Sequence, residues 1–196
     1  MHKHASGPQH VIPGSEIKGP VVWTEAEKAE IEQVASQYPN RRGALLPVLW
    51  KAQRKFGWLA PEVVRLVAQT MSLPPSDVLA VASFYTMFKK EPTGKYLIQV
   101  CHTLSCQLGG SERVVNHLKK VLGITEGETT PDGQFTLMRV ECLASCGSAP
   151  MMQINDDFYE RLTPEKLDEI VGALRRGQPL PLPRPEVEEW HWTNPS

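Results

Sequence analysis

The chain has 196 residues, a hydrophobic content of 41% and a charged content of 22%, the balance of a globular chain able to fold without disulfide or metal staples. At about 100–200 residues per domain it has room for one or two domains. With 21 Lys plus Arg against 22 Asp plus Glu, its net charge of −1 gives no electrostatic reason to expect a nucleic-acid partner. The apolar runs, such as Ala44 to Leu49, are too short to span a bilayer, and the expectation for Met1 to His10, which lacks an apolar core, is that it is not a secretory signal.

The first 22 residues carry Gly7, Pro8, Pro13, Gly14, Gly19 and Pro20 and no periodic apolar face, so they read as a flexible arm. From Thr24 the pattern becomes helical. Thr24 and Glu27 have the spacing of a capping box, and Ile31, Val34 and Ala35 form a short inward stripe that Pro39 ends. A second helix is expected from about Gly43 to Phe56, with Leu45, Leu49, Ala52 and Phe56 inward and Gly57 as its stop. Pro47 fits only in the first turn of that helix. A third begins at Pro61 with Val63, Val64 and Val67 inward. After the Pro74–Pro75 interruption a fourth covers Asp77 to Ser83. Residues 23–91 therefore read as an all-helical module, and Phe84, Tyr85, Phe88, Trp50 and Trp58 as its core or a subunit interface.

Beyond a Pro/Gly break at Glu91 to Gly94 the period changes. Tyr96 to Cys101 reads as a strand, Ser111 to Leu122 as a helix stopped by Gly123, and Phe135 to Glu141 as a second strand. Met151 to Ile154 and Phe158 to Arg161 are short strand candidates, and Thr163 caps a last helix over Glu165 to Arg176. The order β-α-β-β-α over residues 95–177 is that of a compact α/β layer domain. Residues 178–196 hold Pro179, Pro181, Pro183 and Pro185, which predicts an extended tail, with Trp190 and Trp192 placed to dock on this chain or another.

All four cysteines fall in two pairs. Cys101 and Cys106 form C-x4-C and Cys142 and Cys146 form C-x3-C, each directly after a predicted strand. If those strands are parallel, both loops emerge at one sheet edge, where α/β domains gather their sites. In a reducing compartment such clusters bind metal or do redox work more often than they form disulfides. Four thiolates suit a tetrahedral zinc or an iron–sulfur cluster. Structural zinc favours tight C-x2-C knuckles, and thioredoxin-type redox motifs are C-x-x-C. The wider spacings here suit a two-iron cluster, with one pair on each iron. Gly109, Gly110 and Gly147 beside the pairs would let backbone N–H groups approach sulfur. A Rieske arrangement needs two histidine ligands; His102 adjoins Cys101, but no histidine follows Cys106 before His117.

At these residues the chain resembles the thioredoxin-like [2Fe–2S] subunit of respiratory complex I, NADH:quinone oxidoreductase. The resemblance rests on the two cysteine pairs, on VECLASCGSAPMMQIND around the second pair, on FYERLTPEKLDEIV, and on YPNRRGALLPVLWKAQRKFGWL and VASFYTMF in the helical module, and it spans roughly Thr24 to Arg176. It implies a thioredoxin-like α/β domain preceded by a small helical bundle, and Cys101, Cys106, Cys142 and Cys146 as the ligands of one [2Fe–2S] cluster. Family members often carry Pro before the second cysteine, where this chain has Ser105. The resemblance further implies single-electron exchange with an FMN held, like NADH, by a flavin-binding partner subunit. A multi-cluster iron–sulfur subunit of the same complex is the other implied partner, and the cytoplasmic face of an inner membrane, reached through the assembly, the implied location. The chain has no G-x-G-x-x-G or P-loop of its own, so it is expected to be one electron carrier of an enzyme and not a complete active site. Two alternatives stand beside this: the equivalent diaphorase subunit of a soluble NAD-linked hydrogenase or formate dehydrogenase, and a structural zinc module.

Overall fold

A computed structural model describes residue 17 and residues 19–178. The Pro-rich tail and most of the predicted arm lie outside the described residues. The chain divides into two compact units, meeting in sequence at Thr93 and Gly94.

The first unit is helical. Helix α1 spans Glu25–Ala35 and opens on a complete capping box: the Glu27 amide donates to Thr24 Oγ1 at 3.2 Å, and the Thr24 amide donates to Glu27 Oε2 at 2.7 Å. A 3-10 turn, Arg41–Ala44, leads into α2, Leu45–Phe56, and Pro47 falls in the first turn of α2 as its missing N–H requires. Helix α3 spans Pro61–Met71 and α4 spans Pro75–Phe84. Pro75 begins α4 at its first position, so the proline pair starts this helix two residues before the predicted boundary. The core joins Trp23, Ile31, Leu45, Val48, Leu49, Val63, Val67, Met71 and Phe88. Ile17 and Val21, assigned by sequence to the arm, pack against that core.

The aromatic residues of this unit divide. Phe88 is core, and Trp50 and Trp58 pack against the core. Phe84 is 78% exposed and meets Tyr85 edge-on at 5.0 Å, so this pair is surface, not core.

The second unit holds a four-stranded mixed sheet in the order β2-β1-β3-β4. Strand β1 is Tyr96–Cys101, β2 Phe135–Val140, β3 Met152–Ile154 and β4 Asp157–Tyr159. β1 and β2 run parallel, and β3 is antiparallel to both β1 and β4. A parallel pair needs a crossover, supplied here by α5, Leu104–Gly109, and α6, Ser111–Leu122. The last helix, α7, spans Pro164–Arg175 and is capped by Thr163. Val114, Val115 and Leu118 of α6 and Leu167, Ile170 and Val171 of α7 bury against Ile98, Leu137 and Met152 of the sheet. Helix α5 was not expected: CHTLSC reads as a loop, yet Cys106 sits within a short helix that Gly110, at φ 100°, separates from α6.

Candidate metal centre

Because β1 and β2 are parallel with Cys101 opposite Val140, the chain leaves both strands at the same edge of the sheet. The first turn beyond β1 carries Cys106 and the loop beyond β2 carries Cys142 and Cys146, the latter beginning a 3-10 turn, Cys146–Ser148. All four predicted ligands thus lie at one edge of the sheet, but the two pairs differ in setting. Cys101 and Cys106 are each only 1% exposed and share a small apolar cluster with Met151, Leu143 and Ala149. Cys142 and Cys146 are exposed, with their sulfurs 3.6 Å apart. All four are free thiols. The Ala149–Pro150 peptide that follows is cis.

The surroundings polarise the thiols within each pair in opposite senses. Burial opposes ionisation at Cys101, but hydrogen bonds from the Thr103 side chain and amide, from the Leu143 amide and with Cys106 outweigh it and hold this thiol below its ordinary range. Burial, followed by the neighbouring Cys101, pushes Cys106 up to about 11. The Ala144 amide, 3.3 Å from the Cys142 sulfur, is the main influence lowering Cys142, with Cys146 and Thr103 acting in the same direction. Cys146 is raised chiefly by Cys142. Within each pair, then, one thiol is lowered and its neighbour raised.

The donors near sulfur are not the glycines singled out from the sequence. They include the amides of Thr103, Leu143, Ala144 and Met151 and the Thr103 hydroxyl. Ala144 adopts φ 63° to present its N–H, an unusual conformation for a residue with a side chain. Gly109 has a different use: a Cβ there would lie 3.1 Å from the Pro150 nitrogen and 3.2 Å from Ala149. Its bare backbone lets α5 lie against the segment after Cys146.

A second layer holds the Cys142–Cys146 loop. Ser148 Oγ donates to Glu160 Oε1 at 2.7 Å, and Ser145 Oγ donates to the same oxygen. The Glu160 carboxyl is held below the usual carboxylate range by these two serines. Lys166 Nζ donates to the Glu160 carbonyl at 2.6 Å, and the Arg161 amide to the Ser148 carbonyl at 2.9 Å. Residues 145–148 are thereby tied to the connection between β4 and α7. Ser145, Ser148 and Glu160 lie within the segments that carry the family resemblance, but neither spacing nor residue type marks them as a support for the loop. His102 Nε2 lies 3.4 Å from Glu141 Oε1, joining the residues next to Cys101 and Cys142.

The donor set is two pairs of thiols, and donors of that kind fit a two-iron cluster. Among the described residues no three His, Cys, Asp or Glu side chains gather so as to hold a metal ion. Tetrahedral zinc needs four donors around one centre. A binuclear cluster needs two on each side, and its bridging sulfides occupy the space between pairs.

The sequence profile of the thioredoxin-like [2Fe–2S] ferredoxin family matches residues 31–175. Among curated relatives, NADH-quinone oxidoreductase subunit 2 of Thermus thermophilus is 43% identical over 153 residues, which cover 76% of this chain and 84% of that protein. The mitochondrial NADH dehydrogenase (ubiquinone) flavoprotein 2 of Dictyostelium discoideum is 41% identical over 166 residues, 83% of this chain and 67% of that one. Among solved structures, an NAD+-reducing [NiFe]-hydrogenase in its air-oxidised state superposes with a TM-score of 0.61 at 26% identity. That match covers 69% of this chain and 23% of the hydrogenase chain. The chain belongs to the thioredoxin-like [2Fe–2S] ferredoxin family.

Proposed function

We propose that this member of the thioredoxin-like [2Fe–2S] ferredoxin family is the electron-transfer subunit of an NADH:quinone oxidoreductase, with Cys101, Cys106, Cys142 and Cys146 as the ligands of one [2Fe–2S] cluster. The observation that carries the reading is the parallel pairing of β1 and β2, which brings both cysteine loops to one edge of the sheet. When bound, a [2Fe–2S] cluster supplies a site that takes up and releases one electron. Cys101 and Cys106 anchor its inner side against Met151, Leu143 and Ala149, which keep water from those sulfurs. Cys142 and Cys146 hold the outer side at the surface, where an electron can pass to or from a partner.

The partner holding FMN and NADH is the flavin-binding subunit, and a multi-cluster iron–sulfur subunit is the second neighbour. Leu104 and Leu108, four residues apart on α5 beside Cys106, are 74% and 80% exposed, and an apolar pair of this kind suits a subunit contact. Among the described residues no helix is long and apolar enough to cross a membrane. In this reading, which rests on the complex I relatives, the chain meets the membrane through the assembly, on the cytoplasmic face. A second reading, the equivalent subunit of a soluble NAD-linked hydrogenase, is favoured by the hydrogenase similarity and keeps the same chemistry. The subunits that co-purify with the chain separate the two.

Addition of NADH tests the electron-transfer role. The isolated, cluster-loaded chain should be reduced by dithionite and not by NADH. After mixing with the flavin-binding subunit, NADH should reduce it. Direct reduction of the isolated chain by NADH, or no reduction in the assembly, would contradict the proposal.

A further inference from the structure

Thr103 occupies the N-cap position of α5, with the extended backbone of a cap, φ −74° and ψ 172°. A threonine there ordinarily spends its hydroxyl on the first free amides of the helix. This one makes no such bond. Its Oγ1 lies instead 3.3 Å from Cys101 Sγ, half-buried in the connection between β1 and α5.

The chemistry of metal ligation settles the direction of the bond to Cys101. In the free thiol, either atom can donate. A ligating sulfur has lost its proton and can only accept, so the hydrogen must come from Thr103. We propose that the Thr103 hydroxyl is a positioning and tuning donor to the Cys101 thiolate, and that it raises the reduction potential of the bound cluster. Reduction adds one electron, hence one negative charge, with no bond made or broken and the hydrogen remaining on Thr103. A donor aimed at sulfur stabilises the more negative state more than the less negative one.

This inference rests on Cys101 being a cluster ligand. Valine keeps the branched shape and removes the hydroxyl, and no helix cap is lost with it. The full chain, purified with its cluster, is poised with mediators and dithionite and followed by EPR. At the wild-type midpoint, the reduced-to-oxidised ratio of T103V should fall about tenfold, the scale of one charge-assisted hydrogen bond. T103S should restore it, with iron content and circular dichroism unchanged in both. An unshifted T103V midpoint would overturn the proposal. So would loss of iron from T103V while T103S keeps it, because the hydroxyl would then serve assembly and not potential; loss from both would do the same. C101S keeps the ligand question separate: an unchanged cluster spectrum in that variant would remove the ligand assignment itself, whatever Thr103 does.

Discussion

Cys101 and Val140 are paired in parallel register at the ends of adjacent strands, and Cys142 follows only two residues beyond that pairing. The sheet therefore brings the two cysteine loops side by side, and contacts such as His102 with Glu141 join them there. Conversely, the first pair is buried and the second exposed, since the loop after β1 coils into α5 beneath an apolar cover and the loop after β2 lies open.

That asymmetry sets an order of thiol reactivity in the cluster-free chain. Cys142 is exposed and held below the ordinary thiol range, first by the Ala144 amide, so it should alkylate fastest at mildly alkaline pH. Cys106 is buried and raised to about 11, so it should alkylate last. Timed iodoacetamide labelling read by peptide mass spectrometry gives the order. Equal rates at all four positions would contradict this account of the site.

The Glu160 tie predicts a kinetic effect on the cluster. Glu160→Ala frees the hydroxyls of Ser145 and Ser148, which flank Cys146. Iron should leave this variant several-fold faster than the wild type in the presence of a chelator, while secondary structure is retained. Glu160→Gln keeps an acceptor oxygen and should fall between them. Equal iron loss in all three proteins would show that the tie does not hold the loop.

In the helical unit, the capping box makes a pH-dependent contribution. The Lys55 side chain foremost, then the Thr24 amide, lower the Glu27 carboxyl from 4.5 to about 2. A carboxyl depressed in the folded state stabilises above its unfolded value and stops doing so as pH falls through its folded one. Its contribution is complete above about pH 5–6 and fades toward pH 2. Glu27→Gln should therefore cost stability at pH 7 and progressively less on acidification, measured by urea unfolding. Thr24→Ala should cost about 1 kcal/mol at pH 7, as caps typically do.

Most of the framework is legible in the sequence because it rests on local rules. Thr24 with Glu27, Pro61 and Thr163 mark helix starts, and the strand over Tyr96 to Cys101 has the predicted bounds. The thioredoxin-like class and the similarity to complex I subunits come instead from the family resemblance of the two cysteine pairs and the segments around them. Helix α5 escapes because six residues hold too little periodicity to separate a helix from a loop. Phe84 reads by type as core or subunit interface, and its exposure at the end of α4 removes the core alternative. The donors around the sulfurs escape for another reason. Whether an amide points at sulfur depends on a local φ, as at Ala144, and on folding partners distant in sequence, as Glu160 is from Ser145. Glycine marks where backbone can come close, but Gly109 uses that freedom to admit Pro150, not sulfur.

The central claim is that these two cysteine pairs hold one [2Fe–2S] cluster. Absorption and EPR spectra of the anaerobically purified chain, before and after dithionite, test it most directly. The account predicts visible bands that bleach on reduction and a rhombic spin-half signal near one unpaired electron per chain. A colourless, EPR-silent protein carrying one zinc would contradict it.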